Sequence, residues 1–587
     1  MTPTQHLHTH DRFSPAEVLA LYPWTDAAQA LSLPGLLAAR VAVAPGRAAI
    51  EAVDEDGRTE VWTYAHLACA AERLAALLAA RGLQAGERLA VVSRNHVSTV
   101  VALLAVARLG AVLVPLNPDL LPAELGWVLG HCAPAGVLCE PELREKVAAA
   151  LELASSEPGW LSPWLWLNQP QPLTALAGND GLAAPPGVER VLPRRIEDAE
   201  LTAECPAAPL PNGLAEATVV FIYTSGTTGF PKGVMHAQRT VVRAGEGFVA
   251  RMHLQPHERM ACLLPLFHIN ALFYSLAGAL AAGATLLLLP RFSASGFWAD
   301  MARLRATQVN TIAAVTGILM RRPRSEFVPS HGLLKVYGAP LNDETQRVFR
   351  EEFGVPQLIE GYGMSEIPGA LNNPYAGPQR PGSMGTPSTH PDPAIRLAEL
   401  AIVDEAGQPL PDGQTGELVV RTPLLMQGYY RDPAQTAASL LPGGWFLTGD
   451  LARRDGEGYY WFVARKKDIL RRRGENISGA EIDRVLESHP QVQQAAAIAV
   501  PAALGEDEIL AAILPRPGLT AAEQAGLIPA LAAWCEAHLA ALKRPRYLVI
   551  VEALPQTPTH RVAKFRLRER STELQAQAID LSAIPAA

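Results

Sequence analysis

The sequence has little net charge. Its 50 Lys and Arg against 58 Asp and Glu leave a formal charge of −8, too mild an imbalance to draw the chain to nucleic acid or to an anionic membrane surface. It is also poor in cysteine. Of six cysteines, only Cys132 and Cys139 are close in sequence, and they stand too far apart for a C-x-x-C pair. That pattern excludes a disulfide framework and argues against a zinc site, leaving buried, reduced thiols as the expectation. The opening stretch, MTPTQHLHTHDRF, has no apolar run of the kind a signal peptide needs. His6, His8 and His10 alternate there, and read as a polar tail rather than a metal site. Together these absences predict a cytoplasmic protein.

Charged residues are missing altogether from 261–290, a stretch long enough to span a bilayer. His268, Asn270, Gly278 and Gly283 interrupt it, and its second half reads as a helix, then Gly283, then a strand at 285–289. A buried helix followed by a buried strand is the expectation, not a membrane span. The same pattern occurs earlier, with a helix at 100–109, a break at Gly110 and a strand at 111–115. Further short apolar strands are expected at 89–92 and 219–223. Hydrophobic residues at 49% and charged residues at 18% make the chain globular, and 587 residues exceed one ordinary core. The prediction is an α/β fold: a large N-terminal domain of mixed and parallel sheets flanked by helices, with a small, mobile α+β domain after it.

The boundary is placed at about residue 466, where the basic run Lys466-Lys-Asp-Ile-Leu-Arg-Arg-Arg-Gly474 begins. That gives domains 1–466 and 467–587, with a helix at 480–487, a strand at 495–500, one or two helices at 520–541 and a loosely attached tail from about 572. Two stretches read as surface insertions: 155–193, rich in Pro and carrying Trp160, Trp164 and Trp166, and 372–393, rich in Pro, Gly and Ser.

The stretch with most chemical content is Ile222-Tyr-Thr-Ser-Gly-Thr-Thr-Gly-Phe-Pro-Lys-Gly233. Apolar strand residues lead into three glycines, four hydroxyl side chains and one lysine. Glycines let backbone N–H groups approach an anion, hydroxyls donate hydrogen bonds and a lysine neutralises charge, so Thr224, Ser225, Gly226, Thr227, Thr228 and Lys232 form a candidate polyphosphate grip. The spacing is not that of a Walker A loop, and no Ser or Thr follows the lysine.

This loop resembles the phosphate loop of the adenylate-forming superfamily, which contains acyl-CoA synthetases, peptide-synthetase adenylation domains and firefly-type luciferases. Other motifs of that family follow in order over about residues 35–570. Pro265-Leu-Phe-His-Ile-Asn270 resembles the motif that lines the acyl pocket; with it, His268, Asn270, Ala271, Val315, Thr316 and Gly317 are candidate substrate contacts. Gly338-Ala339-Pro340 resembles the adenine-contacting turn. Gly361-Tyr362-Gly363-Met364-Ser365-Glu366 resembles the Y-G-x-T-E motif, with serine for threonine. The resemblance gives Tyr362 to adenine and Glu366 to Mg²⁺, a hard cation that an oxygen ligand suits. Trp445-Phe-Leu-Thr-Gly-Asp450 and Arg465 resemble the ribose-binding residues, Lys467 the hinge pivot, and Gly474 the loop of the thioester step.

In the C-terminal motif, Pro555-Gln-Thr-Pro-Thr-His-Arg-Val-Ala-Lys564 departs from the usual P-x-T-x-x-G-K. Arg561 stands in the register of the catalytic lysine, and Lys564 comes three residues later. Register favours Arg561 and side-chain chemistry favours Lys564; the sequence leaves both open.

The resemblance implies an enzyme that uses ATP and Mg²⁺ to adenylate a small-molecule carboxylic acid, releasing pyrophosphate, and then transfers the acyl group to coenzyme A. His268 in the pocket motif, where amino-acid-activating relatives place an aspartate, argues against an α-amino acid. A carrier-protein thiol or an amine as acceptor, and a non-catalytic nucleotide-binding protein, are the alternatives. The forms GENIS and FHIN are similar to carnitine-type and medium-chain acyl-CoA ligases. The oligomeric state is open, with a homodimer as one option.

Overall fold

The structure is a computed structural model that describes residues 11–21, 31–155, 163–167, 188–190, 210–224, 231–472, 475–501, 507–556 and 562–583. The chain forms two compact units, one of Met1–Leu400 with Val420–Phe446, the other of Ala401–Val419 with Leu447–Ala587.

Two large sheets make the first unit. One runs in spatial order Thr386–Pro387, Ile367–Asn372, Gln357–Met364, Lys335–Gly338, Gln308–Asn310, Arg259–Cys262, Thr285–Leu288, Ala48–Val53 and Thr59–Thr63. Its six central strands, from Gln357–Met364 to Ala48–Val53, are parallel. The other runs Gly428–Tyr429, Lys232–Ala237, Thr218–Thr224, Val112–Leu116, Arg88–Val92, Gly136–Cys139, Trp164–Leu167 and Val188–Arg190. Strands buried on both faces explain the uninterrupted apolar runs of the sequence.

Glycine marks where helix gives way to strand. The helix Val97–Leu109 ends on Gly110 at φ 67°, and Ala277–Ala282 on Gly283 at φ 71°. Both take the left-handed cap conformation that a side chain disfavours. The charge-free stretch 261–290 thus resolves into the end of one strand, the π-helix Asn270–Leu276, the helix Ala277–Ala282 and the strand Thr285–Leu288. Among the described residues no helix is long and apolar enough to cross a membrane.

Several expectations need correction. Within 155–193, Trp164–Leu167 and Val188–Arg190 are parallel strands that extend the second sheet, not loop; Trp160 lies outside the described residues. The stretch 372–393 is only partly at the surface: 376–378, 381–382, 389 and 392–393 are exposed, but Asn373, Ser383 and Ser388 are buried, and Asn373 Nδ2 donates to the Ser383 carbonyl at 3.0 Å. Cys132, Cys139, Cys262 and Cys535 are buried thiols as expected, whereas Cys69 is disulfide-bonded. His6, His8 and His10 lie outside the described residues.

In the second unit the strands Val492–Pro501, Asp507–Pro515, Tyr547–Ile550 and Ile579–Asp580 form a sheet. The helices Gly479–Glu487 and Ala521–His538 supply Ile482, Leu486, Leu527 and Leu531 to a core against it. The described part of the segment from 572, residues 572–583, is docked, not loose. Leu574 is buried, Ile579–Asp580 pairs with Tyr547–Ile550, and Arg546 Nη2 meets Asp580 Oδ2 at 2.9 Å.

Candidate active site

The two described ends of the polyphosphate motif lie on paired antiparallel strands. Thr224 ends one strand and faces Lys232 at the start of the next, Lys232–Ala237. The lysine is therefore carried on a returning strand and not on a helix, the structural counterpart of its departure from Walker A spacing. Ser225, Gly226, Thr227 and Thr228 lie outside the described residues. Lys232 Nζ is 3.1 Å from Gln435 Oε1 and 5.2 Å from the centre of the Tyr429 ring.

Glu366 lies beside that strand. Met364 pairs with Ile367, so Ser365 and Glu366 form the tip of the hairpin between Gln357–Met364 and Ile367–Asn372. The tip is tied down at three points. His236 Nε2 lies 2.7 Å from the Ser365 carbonyl. Met426 N–H donates to the Glu366 carbonyl at 2.9 Å, and Tyr429 Oη donates to Glu366 Oε1 at 2.8 Å. Burial lowers the pKa of His236 to about 4, so its ring is neutral at neutral pH and Nε2 carries the donated proton. Glycine is required beneath the tip by packing: a Cβ on Gly361 would sit 2.6 Å from Tyr337 Oη, and one on Gly363 2.6 Å from Gly369 N.

The turn Gly338-Ala339-Pro340 leaves the carboxyl end of Lys335–Gly338, where open α/β sheets bind ligands. A Cβ on Gly338 would lie 2.8 Å from both Thr311 Oγ1 and Leu341 Cδ2, so no larger residue fits. Tyr362 is half-buried on the adjacent strand.

The pocket motif is fixed from the other sheet. Asn95, after Arg88–Val92, donates through Nδ2 to the carbonyls of Leu264 (2.9 Å) and Leu289 (3.1 Å), and its Oδ1 accepts the Leu266 N–H at 2.8 Å. His268 and Asn270 are half-buried; Ala271, Val315 and Thr316 are buried. The Thr316 hydroxyl bonds the Ala313 carbonyl on its own helix, and Gly317 O accepts from Arg321 Nε. Asn270 Oδ1 is buried with no hydrogen-bond partner among the described residues, an acceptor open to a donor on a ligand.

In the second unit, Asp450 is fully buried and paired with Arg465, Nε to Oδ1 at 2.8 Å. Lys564 opens the helix Lys564–Glu569, and its Nζ lies 2.5 Å from Asp483 Oδ2. Asp483 Oδ1 also accepts the Ala497 N–H at 2.6 Å. Arg561, Gly474 and the Lys467 side chain lie outside the described residues.

The sequence matches the AMP-binding enzyme family over residues 37–430 and the AMP-binding enzyme C-terminal domain over residues 481–561. The chain belongs to the AMP-binding enzyme family. It is 32% identical over 539 residues to the sulfoacetate–CoA ligase of Cupriavidus necator, covering 91% of this chain and 97% of that one. It is 30% identical to the indoleacetate–CoA ligase of Aromatoleum aromaticum, covering 89% and 95%. Among solved structures it is similar to ATP-bound MatB from Rhodopseudomonas palustris, with a TM-score of 0.75 and 27% identity over 92% of this chain and 99% of that one. The superfamily and the α/β architecture expected from the motifs are thus borne out.

Within this AMP-binding enzyme the sequence reading missed two residues. Glu360 directly precedes Gly361, is 5% exposed, and accepts the Gly382 N–H at 3.2 Å beside the Leu341 amide. Burial raises its pKa to about 7, so a carboxyl able to donate as well as accept stands next to the expected adenine turn. Its position before the motif was a usable signal. Tyr429 had none: only the fold brings it to Glu366.

Proposed function

We propose that the protein is an ATP-dependent acyl-CoA ligase. A carboxylate oxygen of the substrate attacks the α-phosphorus of ATP, the bond to the bridging oxygen breaks, and pyrophosphate leaves with that electron pair. The thiol sulfur of CoA then attacks the acyl carbon of the adenylate, AMP leaves, and the thiol proton goes to solvent. The observation that carries this reading is the juxtaposition of Lys232 and Glu366 around Tyr429 beside the phosphate motif. The full-length similarity to CoA ligases supports it.

The chain's own part is alignment and charge neutralisation, which suits a reaction whose charge builds on phosphate oxygens. Lys232 and the motif's backbone take the phosphates. The turn Gly338–Pro340 with Tyr362 and Glu360 takes adenine, and Asp450 with Arg465 keeps the ribose role. Lys467 and Gly474 keep the pivot and thioester-loop roles that the resemblance implies. Glu366 fits Mg²⁺: among the described residues no group of three acidic, His or Cys side chains makes an all-protein cage, and a lone carboxylate is the protein share expected when phosphates fill the remaining positions. When bound, Mg²⁺ offsets the charge on the phosphates.

For the C-terminal cation the reading favours Arg561, because Lys564 is committed to Asp483 inside its own unit. Asn270 Oδ1 favours an acid carrying a hydrogen-bond donor. Cytoplasmic residence and a homodimer complete the proposal, tested by fractionation and light scattering. The main test is pyrophosphate release from ATP and Mg²⁺ over a panel of acids, with and without CoA. No release with any acid sinks the ligase reading; release that ends in bound adenylate and ignores CoA points to a carrier-protein or amine acceptor.

A further inference from the structure

We propose that Tyr429 is a positioning residue that leaves Glu366 a single oxygen for the nucleotide's cation, and so sets which divalent ion serves ATP here. This rests on the reading that Glu366 is that cation's ligand.

The geometry gives Tyr429 little freedom. Gly428–Tyr429 is a short strand paired with Lys232–Ala237, Tyr429 opposite Val234. Its N–H donates to Thr436 Oγ1 at 2.9 Å, and the next N–H, of Tyr430, donates to the Gly233 carbonyl at 2.8 Å. The residue is 9% exposed and Glu366 8%. A phenolic hydroxyl, with an ordinary pKa of about 10, is a donor at neutral pH.

Glu366 is held as closely at its backbone. Its own carbonyl accepts from Met426 and the preceding carbonyl bonds His236. The motion left to it is rotation of its side chain, and the 2.8 Å bond from Tyr429 Oη to Oε1 opposes that rotation. Oε2 is then the oxygen for a cation. One carboxylate oxygen suits Mg²⁺, which demands octahedral geometry at about 2.0–2.1 Å. Ca²⁺, at about 2.3–2.6 Å with more ligands, readily takes both oxygens of a carboxylate. A tyrosine that withholds Oε1 therefore favours the smaller ion. Its ring lies 5.2 Å from Lys232 Nζ, so the same side chain also steadies the phosphate-binding cation.

The test is ATP binding by calorimetry, without any acid present, in Mg²⁺ and in Ca²⁺, for wild type, Tyr429→Phe and Glu366→Gln, with melting curves in parallel. Wild type is expected to prefer Mg²⁺, Tyr429→Phe to narrow the Mg²⁺/Ca²⁺ affinity ratio about tenfold, and Glu366→Gln to lose most of the cation dependence. An unchanged ratio in Tyr429→Phe, with Glu366→Gln behaving as expected, overturns the role of Tyr429 alone. Cation dependence unchanged in Glu366→Gln overturns the metal-ligand reading beneath it. Should Tyr429→Phe melt too low to titrate, a crystal structure of wild type with ATP and Mg²⁺ decides: both Glu366 oxygens on the ion would end the proposal, and Oε2 alone with Tyr429 still on Oε1 supports it.

Discussion

Lys564 Nζ and Asp483 Oδ2 lie 2.5 Å apart, joining the start of the helix Lys564–Glu569 to the helix Gly479–Glu487. Both side chains are largely buried, at 12% and 16% exposure, and burial raises the aspartate's pKa despite the lysine beside it. A cation held this way is expensive to withdraw for chemistry on a phosphate. Lys564→Met should therefore act on stability, at about 3 kcal/mol for a buried carboxylate stripped of its partner, while pyrophosphate release below the melting point stays within a few-fold of wild type. Asp483→Asn added to Lys564→Met should recover part of the stability. Arg561→Ala should do the reverse, cutting pyrophosphate release a hundredfold or so, the scale of about 2.7 kcal/mol of transition-state stabilisation, with little change in melting. A Lys564→Met enzyme that melts normally but releases no pyrophosphate would reverse the assignment.

Glu360 makes the first unit sensitive to pH. Its pKa in the fold is raised by burial to about 7 from 4.5, so the folded state prefers the protonated carboxyl. Its contribution is whole below pH 4.5, where folded and unfolded chains both hold the proton, and is lost as pH climbs toward 7. At about 1.36 kcal/mol per pH unit, the loss amounts to roughly 3 kcal/mol. Urea unfolding at pH 5 and pH 8 should show wild type weakening relative to Glu360→Gln by that order. Equal pH dependence in the two proteins would remove Glu360 as the cause.

Much of this architecture was legible because its signals are local. Gly110 and Gly283 announce helix ends through the left-handed conformation they alone take cheaply, and the apolar runs behind them could only be buried strands. The ligand motifs were legible by resemblance, each being a contiguous run. What escaped depends on distance along the chain. Tyr429 reaches Glu366 across 63 positions, and no periodicity encodes that contact. The tail from about 572 reads as loosely attached along the sequence, yet Arg546 pairs with Asp580 and fixes it. The run 401–419 belongs to the second unit although the chain returns to the first at 420, a discontinuity invisible to any reading that moves forward residue by residue.

Asn95 offers a test of how the pocket is held. One amide side chain bonds Leu264, Leu266 and Leu289, so the loop before His268 is anchored to the opposite sheet. Asn95→Ala leaves a buried N–H and two carbonyls without this partner. A loss of roughly 2–4 kcal/mol is expected, at about 1–3 kcal/mol for each unsatisfied buried group with partial relaxation. The displaced loop should raise KM for the acid more than KM for ATP. Equal changes in both would place the defect in global packing and not in the pocket motif.

Lys335 carries the last expectation, at the amino end of its strand, opposite the end from which Gly338–Pro340 departs. Its side chain is fully buried. Nζ meets Asp11 Oδ1 at 2.8 Å, Glu258 Oε1 at 3.2 Å and the His253 carbonyl at 2.9 Å. Asp11 accepts Tyr375 Oη at 2.5 Å, and Phe13 exchanges two hydrogen bonds with Gln255, so residues 11–13 are pinned over the lysine. Two carboxylates share one ammonium, which makes the partners unequal. Lys335→Met strands both acids in a buried setting and should cost about 3–5 kcal/mol. Asp11→Asn keeps Glu258 to balance the lysine and an amide oxygen to accept a hydrogen bond, so about 1–2 kcal/mol is expected, near the value of one charged hydrogen bond. Because the network faces away from the ligand end of the sheet, Asp11→Asn should leave KM for ATP unchanged. Urea unfolding of the two variants checks the ranking, and an Asp11→Asn loss as large as that of Lys335→Met would mean that Asp11, rather than Glu258, is the lysine's principal counter-charge.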